Sequence, residues 1–154
     1  MSDQHRETSV RLQRANVVVS NIDRSLRFYC DVLGFQEAFR HGHNPQSYSL
    51  TVFDIPPDAR IGFCVLGTIQ QPRILALTEI SGVELPSVPA PRRGAIVLEV
   101  RDPDAVISGA RALGLTVHDE AELVTNDGRR GREVGIVDFD GNLVVIYQIT
   151  AHPE

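Results

Sequence analysis

The chain has no tryptophan, one methionine and two cysteines in 154 residues, and aromatic side chains make up only 6% of it. So few aromatics argue against a broad stacking surface for a flat ligand. Cys30 and Cys64 lie far apart and form no Cys-x-x-Cys pair. That usage fits reduced thiols and a cytoplasmic location. No apolar run approaches the ~20 residues that cross a bilayer, so no membrane partner is expected. The first ten residues, MSDQHRETSV, lack the apolar stretch of a secretory signal. An excess of positive charge is missing too. The formal net charge is −5, which argues against a nucleic-acid surface. The arginines cluster locally (Arg92-Arg93, Arg129-Arg130 and Arg132), and these short clusters read as solvated loop faces. There is no P-loop, no G-x-G-x-x-G and no Ser/His/Asp order of a hydrolase.

What is present is a repeat. "ANVVVSNIDRSLRFYCDVLGF" (15–35) and "AIVLEVRDPDAVISGARALGL" (95–115) each run apolar strand, polar cap, helix and closing glycine. In the first, Ser20 and Asn21 are N-cap candidates, with Asp23 as a weak capping-box partner. Ile22, Leu26, Tyr29 and Val32-Leu33 recur at helical spacing, which places Tyr29 in the core. In the second, Asp102 caps and Pro103 takes the first helical position, where its missing N–H costs nothing. Strand candidates follow each helix: 35–42, then 48–55 or 60–67, then 73–80 in the first half; 115–124, 132–139 and 142–149 in the second. Asp140-Gly141 reads as the tight turn between the last two.

The predicted fold class is therefore α+β, two βαβββ modules forming a cupped mixed sheet. Residues 1–10 read as a tail, 11–80 as the first module, 81–93 as a proline-rich linker and 94–150 as the second module. Each helix covers one sheet face, so the other faces curl into a cleft. Ala15, Val17 and Val19 are expected on the helix side and Arg14, Asn16 and Val18 in the cleft. In the second repeat, Ile96, Leu98 and Val100 face the helix and leave Ala95, Val97 and Glu99 inside.

Two stretches, "VVVSNIDRSLRFYCDVLGF" and "VDFDGNLVVIYQ", resemble the signatures of the vicinal oxygen chelate superfamily, also called the glyoxalase/bleomycin-resistance/extradiol-dioxygenase superfamily. In the second stretch Phe139 replaces the usual proline. The resemblance spans about residues 11–149 and implies the fold more than an activity. Its metalloenzymes hold a divalent metal on four strand positions. Carried over by motif register, those positions are Arg14, Ala76, Ala95 and Val145. None offers a lone pair, and a one-residue slip adds only Gln13. No metal and no cofactor are expected. A fixed cation at Arg14 would instead bind a carboxylate, enolate or phenolate oxygen, or else pair with Glu99.

The expected site follows. Arg14 and Glu99 are the catalytic candidates, one stabilising an oxyanion and the other moving a proton. Asn16, His41, Tyr48 and Tyr147 are the ligand-binding candidates. His41 and His43 share one strand face in "FRHGHN", and Tyr48 and Phe53 read as a lid or pocket wall. The function expected is that of a superfamily member acting on or binding a small oxygenated, anionic or aromatic molecule without metal, as a lyase or isomerase. The alternatives are a protein that sequesters an antibiotic or toxin, and a metal-dependent dioxygenase or glyoxalase with unorthodox ligands. Free edge strands and concave faces predict a homodimer, its modules paired within or across chains.

Overall fold

The computed structural model describes residues 9–154. The first half forms β1 (Ala15–Val19), α1 (Ile22–Leu26) continuing as a π-helical turn (Arg27–Val32), β2 (Gln36–His41), α2 (Ser49–Val52), β3 (Arg60–Gly67) and β4 (Leu75–Ser81). The second forms β5 (Ile96–Glu99), α3 (Pro103–Ala112), β6 (Thr116–Val117), β7 (Ala121–Val124), β8 (Arg130–Val137) and β9 (Leu143–Ala151). The sheets run β1-β4-β3-β2 and β5-β9-β8-β6, with β7 also on β8. In both, the opening strand lies parallel to the closing strand and the remaining pairs are antiparallel. The α+β class and the two βαβββ modules are those expected.

Local chemistry starts and stops the helices. The Asn21 carboxamide oxygen accepts from the Arg24 N–H at 2.9 Å. Asp23 is not the capping-box partner; it faces outward and binds Arg40 at 2.7 Å. The donor at Ile22 is satisfied from across the fold by Glu79 of β4, at 2.7 Å. The helix then widens: the Leu33 N–H reaches the Phe28 carbonyl, five residues back. Phe28 and Tyr29 are both fully buried, their rings 5.2 Å apart. On α3 the Asp102 side chain accepts from the Ala105 N–H, as its sequence predicts.

One strand alternative is resolved and two strand expectations are corrected. Of the two alternatives, 60–67 forms the strand and 48–55 does not; 49–52 coil into α2, Asp54 takes a left-handed φ of 54°, and Pro56-Pro57 lack the N–H donors of a sheet ladder. The 115–124 strand is broken into β6 and β7. The β8–β9 connection is no two-residue turn but a five-residue loop, 138–142. Asp138 shapes it, because its carboxylate accepts the N–H groups of Asp140 and Asn142 at 2.9 and 2.8 Å.

The helix-side faces of both sheets share one core. Val19, Tyr29, Leu66 and Leu77 pack there with Val106, Ala110, Val144 and Ile146, joined by Ala15, Val17, Ile96 and Leu98. Each such side chain contributes roughly 1.5–3 kcal/mol by leaving water. The two modules therefore pair within one chain. Gly109 explains how closely: a Cβ there would stand 2.9 Å from a Val32 methyl. Glycine in a helix interior costs about 1 kcal/mol relative to alanine, and here it admits the neighbouring helix.

A polar clamp fixes the modules further. Tyr29 donates to the buried Asp138 at 2.8 Å, and Asn142 donates to the Val18 carbonyl at 2.9 Å. Ser20 donates to Asp140 at 2.6 Å, and Arg24 binds both Ser20 and Asp140.

Candidate ligand-binding site

The concave faces differ from the helix side. Pairing register puts Asn16 and Val18 of β1 on the same face as Ala76, Thr78 and Ile80 of β4 and as Ile61, Phe63 and Val65 of β3. The segment 43–59, which carries α2, crosses part of this face as a strap. Ile55 and Ala59 bury Ile61 and Ile80, with Val18, Leu50 and Phe53 packed around them. Phe53, expected with Tyr48 as a lid or pocket wall, packs with Leu50 against the cluster under the strap. Tyr48 points away and is 76% exposed. The concave face of the second sheet carries no strap, and Val97 there is 62% exposed.

Between the modules, β1 and β5 each hydrogen-bond to a neighbour on one side only, β4 and β9. Their free edges flank a groove of about 470 Å³ whose walls include Asn16 and Val17 on one side, and Ala95 and Ile96 on the other. Arg92, Arg93 and Asn142 supply its polar groups. Arg92 Nε donates to the Gly141 carbonyl at 3.1 Å, which leaves its terminal nitrogens for a ligand. Arg93 makes no ion pair among the described residues. The groove is thus positive without a countercharge of its own. Arg92 and Arg93 read in sequence as a solvated loop face; the fold turns them toward the seam. Nothing in their local spacing signals this, because it depends on where the linker returns to β5.

The remaining predicted residues divide. Arg14 precedes β1 by one residue, and its Nε is buried with no hydrogen-bond partner among the described residues. It forms no ion pair with Glu99. Asn16 lines the groove and accepts from Thr78 at 2.8 Å. Glu99 and Tyr147 are brought together: the Tyr147 hydroxyl donates to Glu99 at 3.2 Å. Burial, and then that carboxylate, push the Tyr147 hydroxyl above the ordinary tyrosine range. This pair lines a separate concavity of about 450 Å³ with Leu33, Phe35, Thr68 and Gln71. His41 sits at the end of β2, beside the strap. His43 accepts the Ile61 N–H on Nδ1 at 3.0 Å, so that lone pair is taken up by the backbone.

Burial disfavours the thiolate form of both cysteines. Burial, with help from Glu37, pushes the Cys64 thiol up to about 11, and burial and Asp31 raise Cys30 as well. The positions that hold metal in the fold family do not fit one here. Ala76 is fully buried against β1 and β3, Ala95 is a groove wall, and Val145 pairs with Val97. Alkyl side chains offer no lone pair and Arg14 brings a fixed positive charge. Among the described residues no group of three His, Cys, Asp or Glu side chains could hold a metal ion.

A paired-module fold with a seam groove defines the class, and comparison gives the family. Residues 11–146 match the model of the Glyoxalase/Bleomycin resistance protein/Dioxygenase superfamily, and the chain belongs to that superfamily. No curated protein matches the chain significantly. Among solved structures, a glyoxalase family protein from Bacillus cereus superposes with a TM-score of 0.70 at 15% identity, over 96% of this chain and 99% of that one. The trypanothione-dependent glyoxalase I of Leishmania major gives 0.59 at 21% identity, over 91% and 87%. The fosfomycin resistance protein FosX from Listeria monocytogenes, in complex with Mn(II) and a dihydroxypropylphosphonic acid, gives 0.58 at 15%, over 89% and 90%. These likenesses show the fold. Among the described residues no helix is long and apolar enough to cross a membrane.

Proposed function

We propose that this protein binds a compact, oxygenated anion in the groove between β1 and β5, without a metal. The observation that carries the reading is the groove itself. It joins both modules, holds about 470 Å³, and presents Arg92 and Arg93 beside Asn16 and Asn142 with no acidic group among its lining residues. Arginine forks match carboxylate and phosphonate oxygens in two-pronged contacts. The Asn16 carboxamide, whose oxygen accepts from Thr78, then turns its amide hydrogens to the rest of a small ligand. A sequestering role for a large flat antibiotic is disfavoured by the lack of tryptophan and the 6% aromatic content. Glu99 and Tyr147 line the neighbouring concavity rather than this groove, so proton transfer is not assigned to them here.

The test is a thermal-shift panel of benzoate, glycolate and methylphosphonate on chelator-treated protein. At least one should raise the melting temperature in a saturable way. A flat response from all three, with stabilisation appearing only after Mn(II) or Zn(II) is added, defeats the reading.

We also propose a cytoplasmic homodimer. The thiols Cys30 and Cys64 are free. Strand β2 is exposed along its whole length and ends its sheet, and Val10, Leu12 and Val124 are exposed apolar side chains. Sedimentation should give twice the chain mass of 17.0 kDa; a single-chain mass at micromolar concentration rejects the dimer.

A further inference from the structure

We infer a second binding site, for a neutral single-ring molecule, in the chamber between the strap and the end of the first sheet. The chamber holds about 230 Å³. Phe63, Ile61 and His41 form its wall, and Asn44, Ser47 and Ser49 of the strap form its rim. Phe63 is the anomaly that points here. Strand β3 is flanked by β2 and β4, and its neighbours Ile61 and Val65 on the same face are buried, yet Phe63 is only half-buried. Its ring stands 6.3 Å from Phe39, which in turn stands 5.2 Å from His41. An aromatic wall is thus built and left without cover over one cavity, while Ile80 beside it is sealed by the strap.

Size and polarity choose the occupant. An apolar cavity of roughly 150 Å³ takes benzene, so this chamber admits one ring with a small substituent and no second ring. The rim offers donors. The Asn44 oxygen and the Ser47 hydroxyl oxygen accept from the backbone N–H groups of Gln46 and Ser49. The Asn44 amide hydrogens and the Ser49 hydroxyl have no acceptor among the described residues. No arginine, lysine or carboxylate lines the chamber, which separates it from the cationic seam. The ligand is therefore a neutral ring with one acceptor oxygen, set edge or face against Phe63.

The probe is 4-fluoroacetophenone, followed by fluorine NMR line broadening on the full chain. The wild type should broaden the signal saturably at millimolar concentration. Gly42→Leu adds a side chain at a lining position where a Cβ meets nothing within 4 Å, and should weaken binding at least about tenfold with the melting temperature retained. Asn44→Ala with Ser49→Ala, which removes the rim donors without filling space, should weaken it several-fold. Arg93→Ala, in the seam, should leave it unchanged. No broadening by the wild type, undiminished binding by both chamber variants, or loss of binding in Arg93→Ala each overturns the assignment.

Discussion

On the first module the concave face is roofed: Ile61 and Ile80 are each 5% exposed beneath the strap. On the second, Val97 stands 62% exposed beside Glu99 and Tyr147. The two faces come from the same βαβββ plan, and both helix-side faces are sealed into one core. The difference lies in a single insertion, residues 43–59, between β2 and β3. An apolar face needs cover and finds it in Ile55 and Ala59. A face that carries a carboxylate and a phenol tolerates water. The groove proposed for the ligand lies at the seam between the modules, where two strand edges remain unpaired.

This contrast can be broken by substitution. Ile61→Ala, under the strap, should lower stability by about 2–5 kcal/mol, the range for emptying a buried isoleucine site. Urea denaturation reads it directly. If the strap merely rests on the sheet, the loss will be far smaller and the contrast between the faces fails.

The clamp between modules comes next. Tyr29→Phe removes one donor from the buried Asp138 and should cost about 1–3 kcal/mol. It should also change the alkaline limit. Burial, and then the charge on Asp138, hold the Tyr29 hydroxyl well above the ordinary tyrosine range. A raised value in the fold means this contribution is intact below about pH 10, the usual tyrosine value, and declines as pH rises beyond it. Stability measured between pH 8 and 11 should therefore fall more steeply in the wild type than in Tyr29→Phe. Equal slopes would separate the clamp from the alkaline transition.

Gly109→Ala sets two effects against each other. Helix propensity favours alanine by about 1 kcal/mol, and crowding against Val32 opposes it by roughly 1–3 kcal/mol. A small net loss is expected, turning into a gain when Val32→Ala makes room. A gain without that second change would mean the helices can separate freely. Val97→Ala, on the open face, should change stability by no more than about 0.5 kcal/mol.

Much of the fold was legible because local chemistry repeats. The two strand–cap–helix–glycine units announced the modules, and the alternation in 15–19 and 96–100 placed the helix-side residues correctly. What escaped depends on distance along the chain. Glu79 caps a helix 57 residues earlier, and Asp138 binds a tyrosine 109 residues away. Residues 48–55 carry strand-like composition, yet they coil into a strap that covers the apolar sheet face below. The pairing of Arg14 with Glu99, plausible from parity, finds no ion pair; Glu99 has Tyr147 instead. Arg92 and Arg93 carry no local signal that distinguishes them from loop charges; their place at the groove depends on the linker returning along the seam.

The most direct measurement of the central claim is calorimetric titration of benzoate, glycolate and methylphosphonate into chelator-treated wild type and Arg93→Ala. The account predicts saturable binding of at least one anion by the metal-free wild type. It predicts at least a tenfold loss in Arg93→Ala, about 1.4 kcal/mol, with an unchanged melting temperature and weaker binding at higher salt. Equal affinity in wild type and variant, or binding that appears only when a divalent metal is restored, would contradict it.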